Sequence, residues 1–505
     1  MLVVLYGFIN SWKQSLFLFI GLSSRQAFLF EYDLKKIKFK TYHKKILSDK
    51  LTPVSIYLKL RDRFANSLLL ESSDYDVNNK NFSYICCEPI ASISIRNREI
   101  TYTYPSQKKI TTKFKKDDSI PLLIEKFSKK FDYNHKKYSF VTNGLFGYIS
   151  HETISHFEDL DLDKNKDNIE IPDLYYAVYK YIICISLFNH EAHIFCHSVN
   201  GENDISVINK LLISDTPTNY SFTKKGEKVS NFTDKEFIDL VKKGKDHCFR
   251  GDVFQIVLSR RFSQSFYGDE FNVYRALRSI NPSPYLFFFD YGSFKIFGSS
   301  PEAQIIIENR RAEIHPIAGT FKRTGNDIKD KELAEKLKKD PKENSEHVML
   351  VDLARNDLSR NGTEVKVEKN RQIQFFSHVI HLVSKVTGKL NPLTNNFQVV
   401  ADTFPAGTLS GAPKHMALKL IDKYENISRN FYGGALGYFD FEGNFNHCII
   451  IRSFLSKNQI IHYQAGAGVV AKSVPKKELE EVYNKLGALE KALEMAEEIT
   501  WKKYL

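Results

Sequence analysis

Residues 448–468 read CIIIRSFLSKNQIIHYQAGAG. Two apolar, β-branched runs flank the polar Ser456-Lys457-Asn458, the pattern of an antiparallel hairpin. Arg452 closes the first run and the small-residue tract Gly466-Ala467-Gly468 closes the second. The same strand pattern recurs on both sides. YLFFFDY and FKIFGSS read as a second hairpin, DVFQIVLSRRFS as a long strand, and YYAVYKYIICISLF from Tyr175 as another. Helical periodicity sits between these strands without a regular strand–helix–strand alternation. The chain therefore reads as α+β, built on large antiparallel sheets.

Two helices carry carboxylates at fixed spacing. Asp340-Pro341 followed by Glu343 gives an N-cap, a proline at N1 and an acid at N3. From there Glu343, Glu346 and His347 fall on one face at i, i+3 and i+4. Val348 to Ala354 are apolar nearly all round, which predicts a buried helix. Near the C-terminus Pro475 opens a second helix, with Glu478 and Glu481 again at i, i+3 and Leu479, Val482, Leu486 and Leu489 on one apolar face. Carboxylates entering packed helices repel unless something positive lies between them. Hard oxygen ligands of this kind suit magnesium. Either pair alone reads more readily as a helix cap or a solvated face, and the surrounding motifs reverse that preference.

The glycine-rich blocks supply the complementary chemistry. PIAGT at 316–320, FPAGTLSGAPK from Phe404 and QAGAG at 464–468 leave backbone N–H groups open to close approach by a carboxylate. Arg452 can hold a carboxylate bidentately. GTLSGAPK lacks the glycine-lysine spacing of a phosphate loop, which excludes that nucleotide site.

In this order and company the blocks resemble the chorismate-utilising enzymes, closely over 251–493 and more loosely over 68–189 through LLLESSDYD and NGLFGYISHE. Among those enzymes they are most similar to the large subunits of anthranilate synthase. The resemblance implies a sandwich of antiparallel sheets with flanking helices. It implies magnesium held directly by Glu346 and Glu481, with Glu343 and Glu478 supporting through water. Chorismate would be bound by Gly319, Thr320, Tyr432, Arg452, Gly466, Ala467 and Gly468. His381, in VIHLVS, would transfer the proton in the pyruvate-eliminating step, and Thr408 would contact the ring.

Two positions distinguish sister enzymes. Aminodeoxychorismate synthases, the nearest alternative, carry a lysine nucleophile where this chain has Ala318. Isochorismate and salicylate synthases carry a lysine base at the position of Gln255, and glutamine cannot take a proton from water. Both substitutions imply direct amination by ammonia. No cysteine lies in a glutaminase-like turn, so the ammonia is expected from a partner, a glutamine amidotransferase subunit (anthranilate synthase component II). LLES at 69–72 and NPSPYLF at 281–287 resemble the family's tryptophan pocket, a resemblance that implies an inhibitor site with Glu71, Ser72, Pro284, Tyr285 and Leu286, and hence feedback inhibition.

The 505 residues, 42% hydrophobic and 26% charged, are those of a globular protein large enough for two domains. A net charge of +12 invites a nucleic-acid reading, but the lysines are spread along the chain and no nucleic-acid motif accompanies them. Six cysteines without periodic spacing predict a reduced, cytoplasmic compartment. The apolar first 22 residues are interrupted by Asn10, Lys13 and Gln14, which makes a poor spanning helix. The expected organisation is an N-terminal extension at 1–41, an N-terminal domain at 42–214 with the regulatory pocket, a linker at 215–231, and a catalytic domain at 232–505.

Overall fold

The computed structural model describes residues 36–499, apart from 73–80, 107, 116–117, 134–137, 168, 214–219 and 376–378. Most of the expected N-terminal extension and the start of the expected linker lie outside the described residues.

The elements that build the site, in chain order, are β1 (Leu68–Ser72), β2 (Phe82–Arg96), β3 (Gly144–Ile149), β4 (Leu174–Ser186), β5 (Phe222–Ser230), α1 (Asp234–Arg250), β6 (Gln255–Gly268), α2 (Phe271–Ile280), β7 (Tyr285–Asp290), β8 (Phe294–Ser300), β9 (Ala303–Glu308), β10 (Ile317–Lys322), α3 (Asp327–Lys339), α4 (Pro341–Ser359), β11 (Gly362–Phe375), β12 (Val379–Leu390), α5 (Lys414–Tyr424), β13 (Ala435–Asp440), β14 (Phe445–Ile449), β15 (Ser453–Lys457), β16 (Ile460–Val469) and α6 (Pro475–Glu498).

Two antiparallel sheets share β4. One runs β2-β1-β7-β8-β15-β16-β6-β5. The other runs β3-β13-β14-β9, then through Arg311–Ile314 to β12, which also pairs with β10 and β11. β4 pairs with both β2 and β3 and joins them.

Alternation along the strands decides what each face buries. Leu68 and Leu70 of β1, Phe287 and Phe289 of β7, Phe146 and Tyr148 of β3 and Leu436 of β13 meet between the sheets. Leu69 and Phe288 point the other way, into a core with α1, α2 and α6. On the far side of the second sheet, Ile305, Val386 and Phe445 pack with Val351, Ala354 and Leu358 of α4. The layers are helix, sheet, sheet, helix, as the resemblance implied.

Local expectations hold in part. β7 and β8 form the expected hairpin. Asp340 caps α4, accepting from the Glu343 amide at 3.0 Å. α4 is amphipathic rather than buried all round: Val348 is 50% exposed while Leu350 and Ala354 are buried. Its exposed side turns to solvent because only one face meets the sheet. The expected linker is a strand over β5, which runs along β6 and so joins the ladder. CIIIRSFL divides into β14 and β15, and the turn before β16 is Asn458-Gln459, both with positive φ, one residue later than expected.

Candidate active site

The break inside CIIIRSFL is where the chain passes from one sheet to the other. β14 belongs to the second sheet and β15 to the first, with Arg452 (φ +49°) at the crossing. A second crossing lies beside it, between β8 and β9, and carries Glu302. Backbone hydrogen bonds tie the two together: the Ser299 amide donates to the Arg452 carbonyl at 3.1 Å and the Ile449 amide to the Glu302 carbonyl at 2.9 Å. A buried acid and a half-buried arginine thus meet at the seam between the sheets.

Their electrostatics follow from that position. Burial pushes the Glu302 carboxyl up to about 7, against a hydrogen bond from Thr408 Oγ1 (3.0 Å) and the charges of Arg452 and Lys485, which pull it down. Burial also lowers the Arg452 pKa, with Glu302 opposing. Its guanidinium makes no hydrogen bond or ion pair among the described residues, so its donors remain available for an anion.

His381 stands on the other wall. β10 bulges between Ala318 and Thr320, so that Thr320 lies opposite His381 and Gly319 turns to φ +75°. The imidazole Nδ1–H donates to the Gly319 carbonyl at 3.3 Å. That bond fixes the tautomer and leaves Nε2 as the basic nitrogen. Burial, with Arg452 adding to it, lowers the pKa to about 4, so the ring is neutral at pH 7. Of Ala318 and Thr320 only the backbone is described.

β16 forms the third wall. Gly466 pairs with Ser259, yet its carbonyl accepts from Lys485 Nζ at 2.8 Å. A β-carbon at Gly466 would lie 3.0 Å from the Tyr432 hydroxyl and 2.8 Å from the Leu258 carbonyl. By the alternation of an antiparallel ladder, the peptide groups of Gly466 and Gly468 turn out of the ladder, while that of Ala467 turns towards β6. The Ala467 methyl is buried in the helical core. The Gly468 peptide thus faces out of the ladder, while the Gly466 peptide already meets Lys485 through its carbonyl and Tyr432 through its N–H.

The carboxylate helices reach these walls. A β-carbon at Gly319 would lie 3.1 Å from Glu343 Oε2, and one at Gly468 would lie 3.6 Å from Glu346 Oε1 and 2.6 Å from Gln255 Nε2. Gln255 Nε2 donates weakly to Glu346 Oε1 at 3.4 Å. On α6, Glu478 is buried, and Glu481 pairs with Lys485 at 2.7 Å while its charge raises the Tyr432 pKa, second to burial and Glu425. Among the described residues no three Asp, Glu, His or Cys side chains are gathered as for a cation. The donor chemistry, all hard carboxylate oxygen, fits a magnesium ion that keeps several waters.

Four of the five residues expected to hold an inhibitor, Glu71, Ser72, Pro284 and Tyr285, line a separate cavity of about 790 Å³. Leu70, Glu71, Ser72, Pro284 and Tyr285 form one wall, and Val383 and Lys385 of β12 form another. Leu286 is Glu71's register partner and is buried. Glu71 is already engaged. Arg278 donates to both of its oxygens at 2.9 and 3.0 Å, and the Tyr274 hydroxyl donates at 2.5 Å.

Sequence reading missed Glu302 and Lys485. Glu302 follows Ser-Pro in what reads as an ordinary turn, and Lys485 sits one turn beyond Glu481 like any surface i, i+4 partner. The spacing of Lys485 was a usable signal; nothing local marked Glu302.

A family model described as chorismate binding enzyme matches residues 70–491. Component 1 of the anthranilate synthase of Aquifex aeolicus is 38% identical over 469 residues, 90% of this chain and 94% of that protein. The same component of Lactococcus lactis is 34% identical over 462 residues, 88% and 98%. Among solved structures, anthranilate synthase component I from Streptococcus pneumoniae superposes with a TM-score of 0.70 at 29% identity, covering 88% of this chain and 99% of that one. MenF, the menaquinone-specific isochorismate synthase of Escherichia coli, has a TM-score of 0.69 at 17% identity over 92% and 98%, a likeness of fold alone.

Proposed function

The chain belongs to the chorismate-binding enzyme family, and from that premise we propose that it is an anthranilate synthase component I, converting chorismate and ammonia to anthranilate and pyruvate. The observation that carries the reading is the meeting of a carboxyl poised near neutrality, Glu302, with the guanidinium of Arg452, which makes no hydrogen bond among the described residues, at the seam of the two sheets.

Chorismate is a dianion. Arg452 holds one carboxylate, and the peptide groups of Gly466 and Gly468 with the Tyr432 hydroxyl orient the other. Glu346 and Glu481, backed by Glu343 and Glu478, would hold magnesium, which supplies positive charge to a substrate carboxylate. Ammonia forms its bond to C2 as the C4 hydroxyl leaves. Glu302, protonated at its raised pKa and held by Thr408, gives that hydroxyl its proton, so water departs. His381 Nε2 then removes the C2 proton, the C3–O bond to the enolpyruvyl group breaks as the ring aromatises, and the released enolpyruvate takes a proton at its methylene carbon to become pyruvate. At Ala318 there is no nucleophile for a covalent route, and Gln255 offers no base for water.

Ammonia comes from a glutamine amidotransferase partner, as the name component 1 of the relatives suggests. Tryptophan, the end product, is the expected occupant of the 790 Å³ cavity. The test is direct: the purified chain with magnesium and chorismate should yield fluorescent anthranilate with ammonium salts and none with glutamine. An aminated product retaining its enolpyruvyl group, or turnover of glutamine by the isolated chain, would overturn the reading.

A further inference from the structure

Tyr432, Thr408 and Gly466 lie on three separate segments, and one buried ion pair reaches Tyr432 directly and the other two through their neighbours Leu409 and Ser259. Arg429 is among the largest fully buried side chains, and its Nε and Nη2 donate to the two oxygens of Glu425 at 2.8 and 2.6 Å. Nη1 donates to the Leu409 carbonyl at 2.7 Å, in the short turn Gly407–Leu409 that carries Thr408. Nη2 also donates to the Val257 carbonyl of β6 at 2.8 Å. The guanidinium carbon stands 5.7 Å from the ring centre of Tyr432, whose hydroxyl reaches Gly466. Glu425 Oε1 in turn accepts from the amide and hydroxyl of Ser259, at 2.8 and 2.7 Å, and Ser259 is the register partner of Gly466. Gln464 Nε2 donates to the same hydroxyl at 2.7 Å, closing the link from β6 back to β16.

A buried ion pair is a poor source of stability, since desolvation offsets most of the Coulomb gain and an apolar pair of like volume is often as stable. What it supplies is direction. The donors of Arg429 reach fixed acceptors on three segments, Glu425, the Leu409 carbonyl and the Val257 carbonyl, which an apolar pair cannot reproduce. We propose that Glu425 and Arg429 are positioning residues that hold the Thr408 turn, Tyr432 and Gly466 in one register for chorismate. This rests on the reading of those three residues as the substrate wall.

The experiment compares the parent chain with the double variant Arg429→Met/Glu425→Leu and with Ser259→Ala, in ammonium-dependent anthranilate formation and thermal melting. The double variant should melt near the parent while kcat/KM for chorismate falls about 100-fold, the scale of an ångström-sized misplacement. Ser259→Ala deletes only the hydroxyl between Glu425 and Gln464. It should raise the chorismate KM about fivefold with a smaller change in kcat, a uniform weakening of binding. A double variant with parental melting and parental kinetics would overturn the positioning role. Should the double variant fail to fold, Ser259→Ala decides, parental KM counting against the proposal. A parent chain inert with chorismate would instead remove the functional reading and this role with it.

Discussion

The hydroxyl of Thr408 donates to Oε1 of Glu302 at 3.0 Å, from a turn that lies 106 residues away in the chain. This bond ties the buried carboxyl to the turn and favours its ionised form, against the burial that pushes its pKa up to about 7.

Glu302→Gln should lower kcat by about 10²–10⁴, the usual contribution of a positioned general acid, with little change in KM. In the parent, the limb of kcat that needs protonated Glu302 should decline as pH rises through about 7. The sign for stability is the same. The folded state holds this proton more tightly than the unfolded chain, so the group favours folding below its ordinary carboxyl pKa and that contribution is lost as pH climbs through about 7. A variant with an unchanged pH–rate profile would remove Glu302 from the chemistry.

His381→Ala should uncouple the two steps, leaving amination but stopping loss of pyruvate, so that an aminated, non-aromatic product accumulates by chromatography. Because the ring's pKa is depressed to about 4, the parent should show no histidine-dependent fall in rate between pH 6 and 8 from this group. Full pyruvate release by the variant would rule His381 out as the base.

Arg452→Ala removes a charge-assisted contact worth about 1.5–3 kcal/mol, so kcat/KM for chorismate should drop roughly thirtyfold. Lysine should restore little, since a point charge does not replace a bidentate fork. Steady-state kinetics with parental affinity would displace Arg452 from the carboxylate.

Glycine-to-alanine changes on β16 should separate stability from function. At Gly466 the new carbon would press on the rigid Leu258 carbonyl at 2.8 Å, and denaturant melts should show a cost of about 1–3 kcal/mol. At Gly468 the nearest atom is the end of the Gln255 side chain, which can move. Gly468→Ala should therefore keep most of its stability but demand more magnesium in titrations of activity, because Glu346 stands just behind.

If the large cavity binds tryptophan, Ser72→Leu should abolish inhibition by tryptophan while the chorismate KM stays unchanged. Inhibition that survives this substitution would place the effector elsewhere.

The sequence alone determined the strands, because apolar alternation in runs such as YLFFFDY and QIIHYQA is a local pattern that burial on one face enforces. It determined the cap of α4 for the same reason, since Asp340 and Glu343 are three residues apart. The i, i+3 carboxylates and the glycines were legible as motifs. Tertiary structure alone decided that CIIIRSFL breaks at Arg452, because the break exists only where two sheets must exchange a strand. It likewise decided that Glu302 keeps a proton near neutrality and that Glu425 and Arg429 tie three distant segments together. Charge state and long-range hydrogen bonding depend on what is buried beside a side chain, and no local spacing encodes that neighbour.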